Sequence, residues 1–183
     1  MSRLKRLTQS YAEYIAVPWR SDVAAAQRVI FCVYHENDEL RLRARIDEFE
    51  LATRQAGHGW VGFDLTDTFA RWLAPQKYAV SYFQKPHLLA PLLPRYLEYI
   101  ANEFALSLHA NGMGETSIVA LKGVGSLFGF LKVKDVVDTL APMVTGRLLV
   151  FFPGSHDNNN YRLLDGYDGW NYLAVLITAD KEF

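Results

Sequence analysis

Residues 122–126, Lys-Gly-Val-Gly-Ser, are of the types from which phosphate-binding loops are built. They follow an apolar run and precede a helical pattern, and glycines at a strand-to-helix turn bring backbone N–H groups up to an anion. The spacing is wrong for the familiar loops. A P-loop places Lys directly before Ser or Thr, after a longer glycine-spaced loop; here Lys122 precedes Gly123 and Gly125, and Val124 and Gly125 precede Ser126. The pattern G-x-G-x-x-G also fails, because Phe128 stands at its third glycine and Gly129 comes one place late. The glycines are therefore read as backbone freedom at a tight turn, with Phe128 and Phe130 packing beneath it. Anion binding by Gly123, Gly125 and Ser126 is the alternative.

A second set is acidic. Asp38, Glu39, Asp64, Asp67 and Asp157 offer the oxygen ligands that a hard cation such as Mg²⁺ takes. Asp38, Glu39 and Asp67 fall where helices should begin, and there carboxylates cap the backbone and complement the dipole. Capping is the preferred reading for those three, which leaves Asp64 unexplained and no metal site assigned. His35, His58, His87, His109 and His156 are scattered, although His35 and His156 could meet at strand ends. Ser126, His156 and Asp157 supply the types for a nucleophile, base and orienter. No G-x-S-x-G elbow surrounds the serine, so no catalytic residue and no cofactor are assigned.

A third stretch, "PGSHDNNNYRLLDGYDGW" (153–170), reads first as an exposed loop, since Asn and Asp bond nearby backbone and favour turns. Its functional reading is a recognition surface. Tyr161, Arg162, Tyr167 and Trp170 are the types that anchor protein interfaces, and Asn158 and Asn159 lie beside them.

The elements that must hold these groups alternate. Residues 2–16 have helical spacing of Leu4, Leu7, Tyr11, Tyr14 and Ile15, ended by Pro18. "RVIFCVY" (28–34) is apolar throughout after Arg28, as in a strand covered on both faces. Residues 37–57 read as a helix capped by Asn37 and stopped by Gly57. A strand over 59–65 and a short helix over 66–73 follow. Residues 75–94 hold four of the seven prolines, which predicts an irregular connection or a helix broken by Pro86 and Pro91. Then come a helix (95–110), a strand (116–123), a helix (132–144) whose tail is bent or ended by Pro142, and a strand (146–154). "YRLL" and "WNYLAVLIT" are either a terminal hairpin or one more strand after a loop. This order predicts an α/β fold: a mostly parallel sheet with helices on both faces, Rossmann-like or P-loop-like but without a Walker A motif. Right-handed crossovers then gather loops 35–39, 64–67, 122–126 and 153–160 on one edge.

Composition narrows the class. The 183 residues can form one domain, 1–183, with a substantial core. The net charge of −1 gives no general pull toward nucleic acid. The single cysteine, Cys32, excludes a disulfide framework and is read as a buried, inert thiol. No apolar run approaches the ~18 residues of a membrane helix, and the basic N-terminus has no apolar core behind it. A cytoplasmic protein without membrane contact is expected.

Residues 121–177 resemble the BrxB family, a domain of unknown function encoded in BREX phage-defence operons. The resemblance is carried by Gly123-Val124-Gly125, by the apolar strand ending in Phe152-Pro153-Gly154, and by the segment from Asn160-Tyr161-Arg162-Leu163 to Trp170-Asn171-Tyr172. "VYHENDELRLRARIDEF" is similar but less specific. The resemblance implies a small α/β component of a multi-protein complex that tells self from phage DNA by methylation. Its other parts include a methyltransferase, a large ATPase and PglZ, which has an alkaline-phosphatase-like domain. It implies a non-catalytic interaction or scaffold module that binds another BREX protein, PglZ foremost, with any association with DNA indirect. The alternative is a nucleotide- or nucleic-acid-binding enzyme using the strand-end loops.

Overall fold

The apolar runs become strands because both their faces are covered. The computed structural model describes residues 1–166 and 169–180. Its strands are β1 (Val29–Tyr34), β2 (Gly59–Asp64), β3 (Ser117–Lys122), β4 (Arg147–Asp157), β5 (Asn160–Leu163), β6 (Trp170–Asn171) and β7 (Val175–Ile177). Its helices are α1 (Arg3–Ala16), α2 (Glu39–Arg43), α3 (Ile46–Gln55), α4 (Thr68–Leu73), α5 (Ala79–Gln84), α6 (Leu93–Ala110) and α7 (Val133–Leu140). Along β1, Val29, Phe31 and Val33 enter one core layer, and Ile30, Cys32 and Tyr34 enter the other. This two-sided burial explains a run with no polar alternation.

The strands lie in the order β2-β3-β4-β1-β7, joined by parallel ladders. The chain leaves β1 through α2 and α3, which share a layer with α1. It returns from β2 to β3 and β4 through α4, α6 and α7, which cover the opposite face. The direction of winding thus reverses beside β1, the kind of switch point where open α/β sheets bind ligands.

The mostly parallel expectation needs correction at the far end of β4. That strand runs on past Pro153 and pairs antiparallel with β5, which pairs antiparallel with β6. The sheet is therefore mixed. The cause is local: Asn158 and Asn159 both have left-handed φ, 48° and 63°, and close a two-residue turn whose twist suits a hairpin. Gly154 allows the close approach, because a Cβ there would lie 2.0 Å from the Arg162 carbonyl oxygen. "WNYLAVLIT" divides between the hairpin, as β6, and the parallel sheet, as β7 beside β1.

Two buried hydroxyl pairs pin helices to the core. Tyr11 donates to Thr53 Oγ1 (2.6 Å), which donates to the Phe49 carbonyl (2.8 Å). Tyr96 donates to Thr68 Oγ1 (2.7 Å), which donates to the Leu65 carbonyl. The helix expected over 37–57 is interrupted at Ala44–Arg45, where the Arg45 N–H bonds to the Leu42 carbonyl in a tightened turn. Asn37 is not its cap. It lies in a 3₁₀ turn, and its N–H donates to His35 Nδ1 (3.2 Å). Cys32 is buried in the core, which pushes its thiol pKa up. Among the described residues no helix is long and apolar enough to cross a membrane.

Candidate functional site

The exits of β1, β2, β3 and β4 line one cleft of about 470 Å³, with Glu36, Glu39, Arg43, Thr66, Gly123 and Ser126 among its walls. Parallel strands bring these loops together although Glu36 and Pro153 lie far apart in sequence. At the centre is Arg43, which sequence reasoning passed over. Its Nε donates to Glu39 Oε1 (2.7 Å), its Nη2 to Thr66 Oγ1 (2.6 Å) and its Nη1 to Asp64 Oδ2 (3.4 Å). The Glu39 pairing was legible as an i,i+4 spacing; the bonds to β2 were not.

Asp64, left unexplained by the sequence, is the acceptor that closes the turn after β2. Its Oδ1 accepts from the Thr66 N–H (2.9 Å) and hydroxyl (2.5 Å), and Lys122 Nζ lies 3.9 Å from Oδ2. Partial burial would raise its pKa, but the Thr66 bonds, with Arg43 and Lys122 beside it, more than offset that and hold the carboxyl below its ordinary range. Tyr34 donates to Glu39 Oε2, and burial, then Glu39, push that phenol's pKa up. Arg43, Glu39, Asp64 and Lys122 are thus paired with one another.

Gly123 belongs to the same knot. Its φ is +75°, and a Cβ there would lie 2.5 Å from Thr66 Oγ1, 2.6 Å from Asp64 Oδ1 and 2.7 Å from the Thr66 nitrogen. The loop's N–H groups turn inward: Ser126 donates to the Gly123 carbonyl (3.0 Å) and Phe128 to that of Gly125 (3.2 Å). The packing residues differ from those expected. Val124 and Leu127 are buried under the turn, Phe130 stacks on Phe69 at 4.0 Å, and Phe128 stands 47% exposed. The chain turns left-handed at Gly129, directly after Phe128.

The other candidates separate. Ser126 lines the strand-end cleft, whereas His156 lines a different cavity together with His35, so the imagined triad is not assembled. Asp157 is at the hairpin tip, opposite Asn160. Asp38 and Asp67 occupy N-cap positions, but neither side chain accepts a bond from a backbone N–H of its helix. Asp38 pairs instead with Arg41 (3.2 Å). Among the described residues no three His, Cys, Asp or Glu side chains could hold a metal ion.

The recognition segment splits by the alternation of β5. Tyr161 points inward and is 1% exposed, packed on Phe31, Phe152 and Trp170. Its ring is core and is corrected as a contact residue. Arg162 points outward, and its stem lies over Gly169. Gly169 and Trp170 line a second groove, of about 460 Å³, with Phe128, Leu131, Lys132 and Leu163. Asn158 and Asn159 are exposed, but their type is accounted for by the turn. Tyr167 lies outside the described residues.

No curated protein and no solved structure matches this chain. A family model described as "BREX protein BrxB" matches residues 83–176. That span takes in the third and fourth strands, the Gly123 turn, the hairpin and the Phe128–Trp170 groove, whereas Glu36, Glu39, Arg43 and Thr66 of the strand-end cleft precede it, and it is just over half of the sequence. The chain belongs to the BrxB family of BREX proteins.

Proposed function

We propose that this chain is a non-catalytic interaction subunit of a BREX complex, which docks another BREX protein, PglZ foremost, in the groove between Phe128 and Trp170. The carrying observation is that groove: an exposed Phe128 and a half-buried Trp170 both line it, and the stem of Arg162 lies against Gly169 in its wall. Aromatic anchors in a pocket beside an arginine are the usual centre of an interface. The core is read as a Rossmann-like sheet that keeps a binding edge without a reaction, since fold does not fix function.

The chemistry of the strand-end cleft supports this over a nucleotide-binding enzyme. In dinucleotide-binding sheets the first strand-to-helix turn is glycine-rich and meets the phosphates. Here that turn carries Glu36, Asp38 and Glu39 and no glycine. A phosphate brought to Gly123 would also meet the ionised Asp64.

Co-purification with the other BREX proteins tests the proposal. Phe128→Asp and Arg162→Glu, both at exposed positions, should release the partner without loss of fold. An unchanged pull-down with PglZ and every other BREX component would refute the assignment. The enzyme reading predicts that ATP with Mg²⁺ raises the melting temperature; no shift is the expected result.

A further inference from the structure

The segment between α4 and α6 is unlike the rest of the surface. From Thr68 to Leu97 there is no acidic residue, although 20 of the 183 residues are acidic and a stretch of that length would average about three. The same stretch carries Arg71, Lys77, Lys85 and Arg95, all exposed. Among the described residues none of the four is in an ion pair.

Apolar side chains are displayed among these cations. Ala79 and Leu89 are buried and Tyr82 packs on the core, which fastens α5 and the 3₁₀ turn Pro86–Leu92 to the body. Fastened so, the segment leaves Tyr78, Val80, Phe83 and Leu88 in solvent, Val80 at 69% and Phe83 at 63%. Val80 and Phe83 are three apart on α5 and so share a flank. Lys77 Nζ sits 5.4 Å over the Tyr78 ring. Single exposed hydrophobics need no explanation, whereas several together mark an interaction site. Pro86 and Pro91 restrict the backbone here, which lowers the entropy lost when a partner binds.

We infer that residues 77–92 form a second docking surface, for an acidic segment of a partner protein that also carries apolar side chains. Unpaired cations call for carboxylates, and Val80, Phe83 and Leu88 call for an apolar face. A nucleic acid satisfies only the first demand, because aliphatic Val80 and Leu88 give nothing to a phosphate or a base edge. A lipid surface is disfavoured because α5 has only six residues, a short element to lie in a membrane interface. This surface is distinct from the Phe128–Trp170 groove and would make the subunit bivalent.

The test is photo-crosslinking of the full chain, co-expressed with the other BREX proteins and carrying benzoylphenylalanine at position 83. The expected adduct joins it to an acidic, apolar-bearing segment of one of them. The yield should fall on the order of tenfold in Lys77→Glu/Lys85→Glu and fall again with added salt. The Phe128→Asp variant should keep this adduct even where it loses the groove's partner, so the two sites fail separately. If position 83 does not tolerate the probe, as judged by circular dichroism, position 80 carries it. An adduct to a second copy of this chain or to a basic segment would overturn the inference, as would no adduct in the folded protein. So would tighter binding of the wild type than of the charge-reversed variant to duplex DNA, or to phosphatidylcholine vesicles containing phosphatidylserine.

Discussion

Three glycines of the 123–129 turn should respond to alanine in a defined order. At Gly129, φ is +82° and nothing lies within 4 Å of a Cβ. Gly129→Ala therefore costs only the left-handed conformation, about 1–2 kcal/mol. At Gly123 the same penalty applies, and the new methyl also strikes the Thr66 nitrogen and hydroxyl and Asp64 Oδ1 at 2.5–2.7 Å. A backbone nitrogen cannot swing aside as a flexible side chain can. The turn after β2 must shift, and the Thr66–Asp64 bonds with the Arg43 contact weaken, adding roughly 1–3 kcal/mol. Gly123→Ala should thus cost about 2–5 kcal/mol. At Gly125 the nearest atoms, Pro153 Cγ and Leu164 Cδ2, are 3.5 and 3.6 Å away, ordinary contacts, so Gly125→Ala should change stability by less than about 1 kcal/mol. Urea unfolding followed by tryptophan fluorescence reads all three. With a slope of about 2 kcal/mol/M, Gly123→Ala should lower the midpoint by about 1–2.5 M. If Gly123→Ala were no worse than Gly129→Ala, the Gly123–Asp64–Thr66 contact would not be holding the strand ends together, and the account of "KGVGS" as a turn knotted to β2 would fall.

Further tests separate support from recognition. Arg43→Met should lose about 1–2 kcal/mol in urea, since the guanidinium is partly exposed and its bonds are screened, and a double-mutant cycle with Asp64→Asn should show coupling. Because the Asp64 pKa is depressed in the folded protein, its contribution is present above about pH 4, the unfolded value, and fades as pH falls through the lower folded value. The stability gap between wild type and Asp64→Asn should narrow below about pH 4 and stay flat above it. Within the hairpin, Tyr161→Ala should cost about 3–5 kcal/mol as a core truncation, whereas Arg162→Glu should stay within about 0.5 kcal/mol; equal losses by thermal melting would contradict the inward and outward assignment of β5. Asn159→Gly should preserve or strengthen the turn, and Asn159→Ala should weaken the protein by about 1 kcal/mol.

The elements themselves were legible in the chain, because the information for them is local. Within "RVIFCVY" and "TSIVALKG" the runs 29–34 and 118–121 are apolar at every position, and that pattern belongs to a strand with two covered faces. Leu4, Leu7, Tyr11 and Ile15 recur at helical spacing, and all four are buried. The meeting of loops 35–39, 64–67, 122–126 and 153–160 followed from alternation and crossover handedness, without any motif. Two matters depended on distant partners, and a third, local one was left open between alternatives. Arg43 becomes the hub of the cleft only because β2 delivers Asp64 and Thr66 to it, 21 and 23 residues away. The turn at Asn158–Asn159 pairs "YRLL" antiparallel with the end of β4, one of the two placements the sequence had left open, so the sheet is mixed. Tyr161 and Arg162 are neighbours in sequence with equal claims to an interface, and a strand's twofold alternation sent one into the core and left the other in solvent. Composition and periodicity act over a few residues, whereas which side of a strand meets the core depends on the register of chains that meet only after folding.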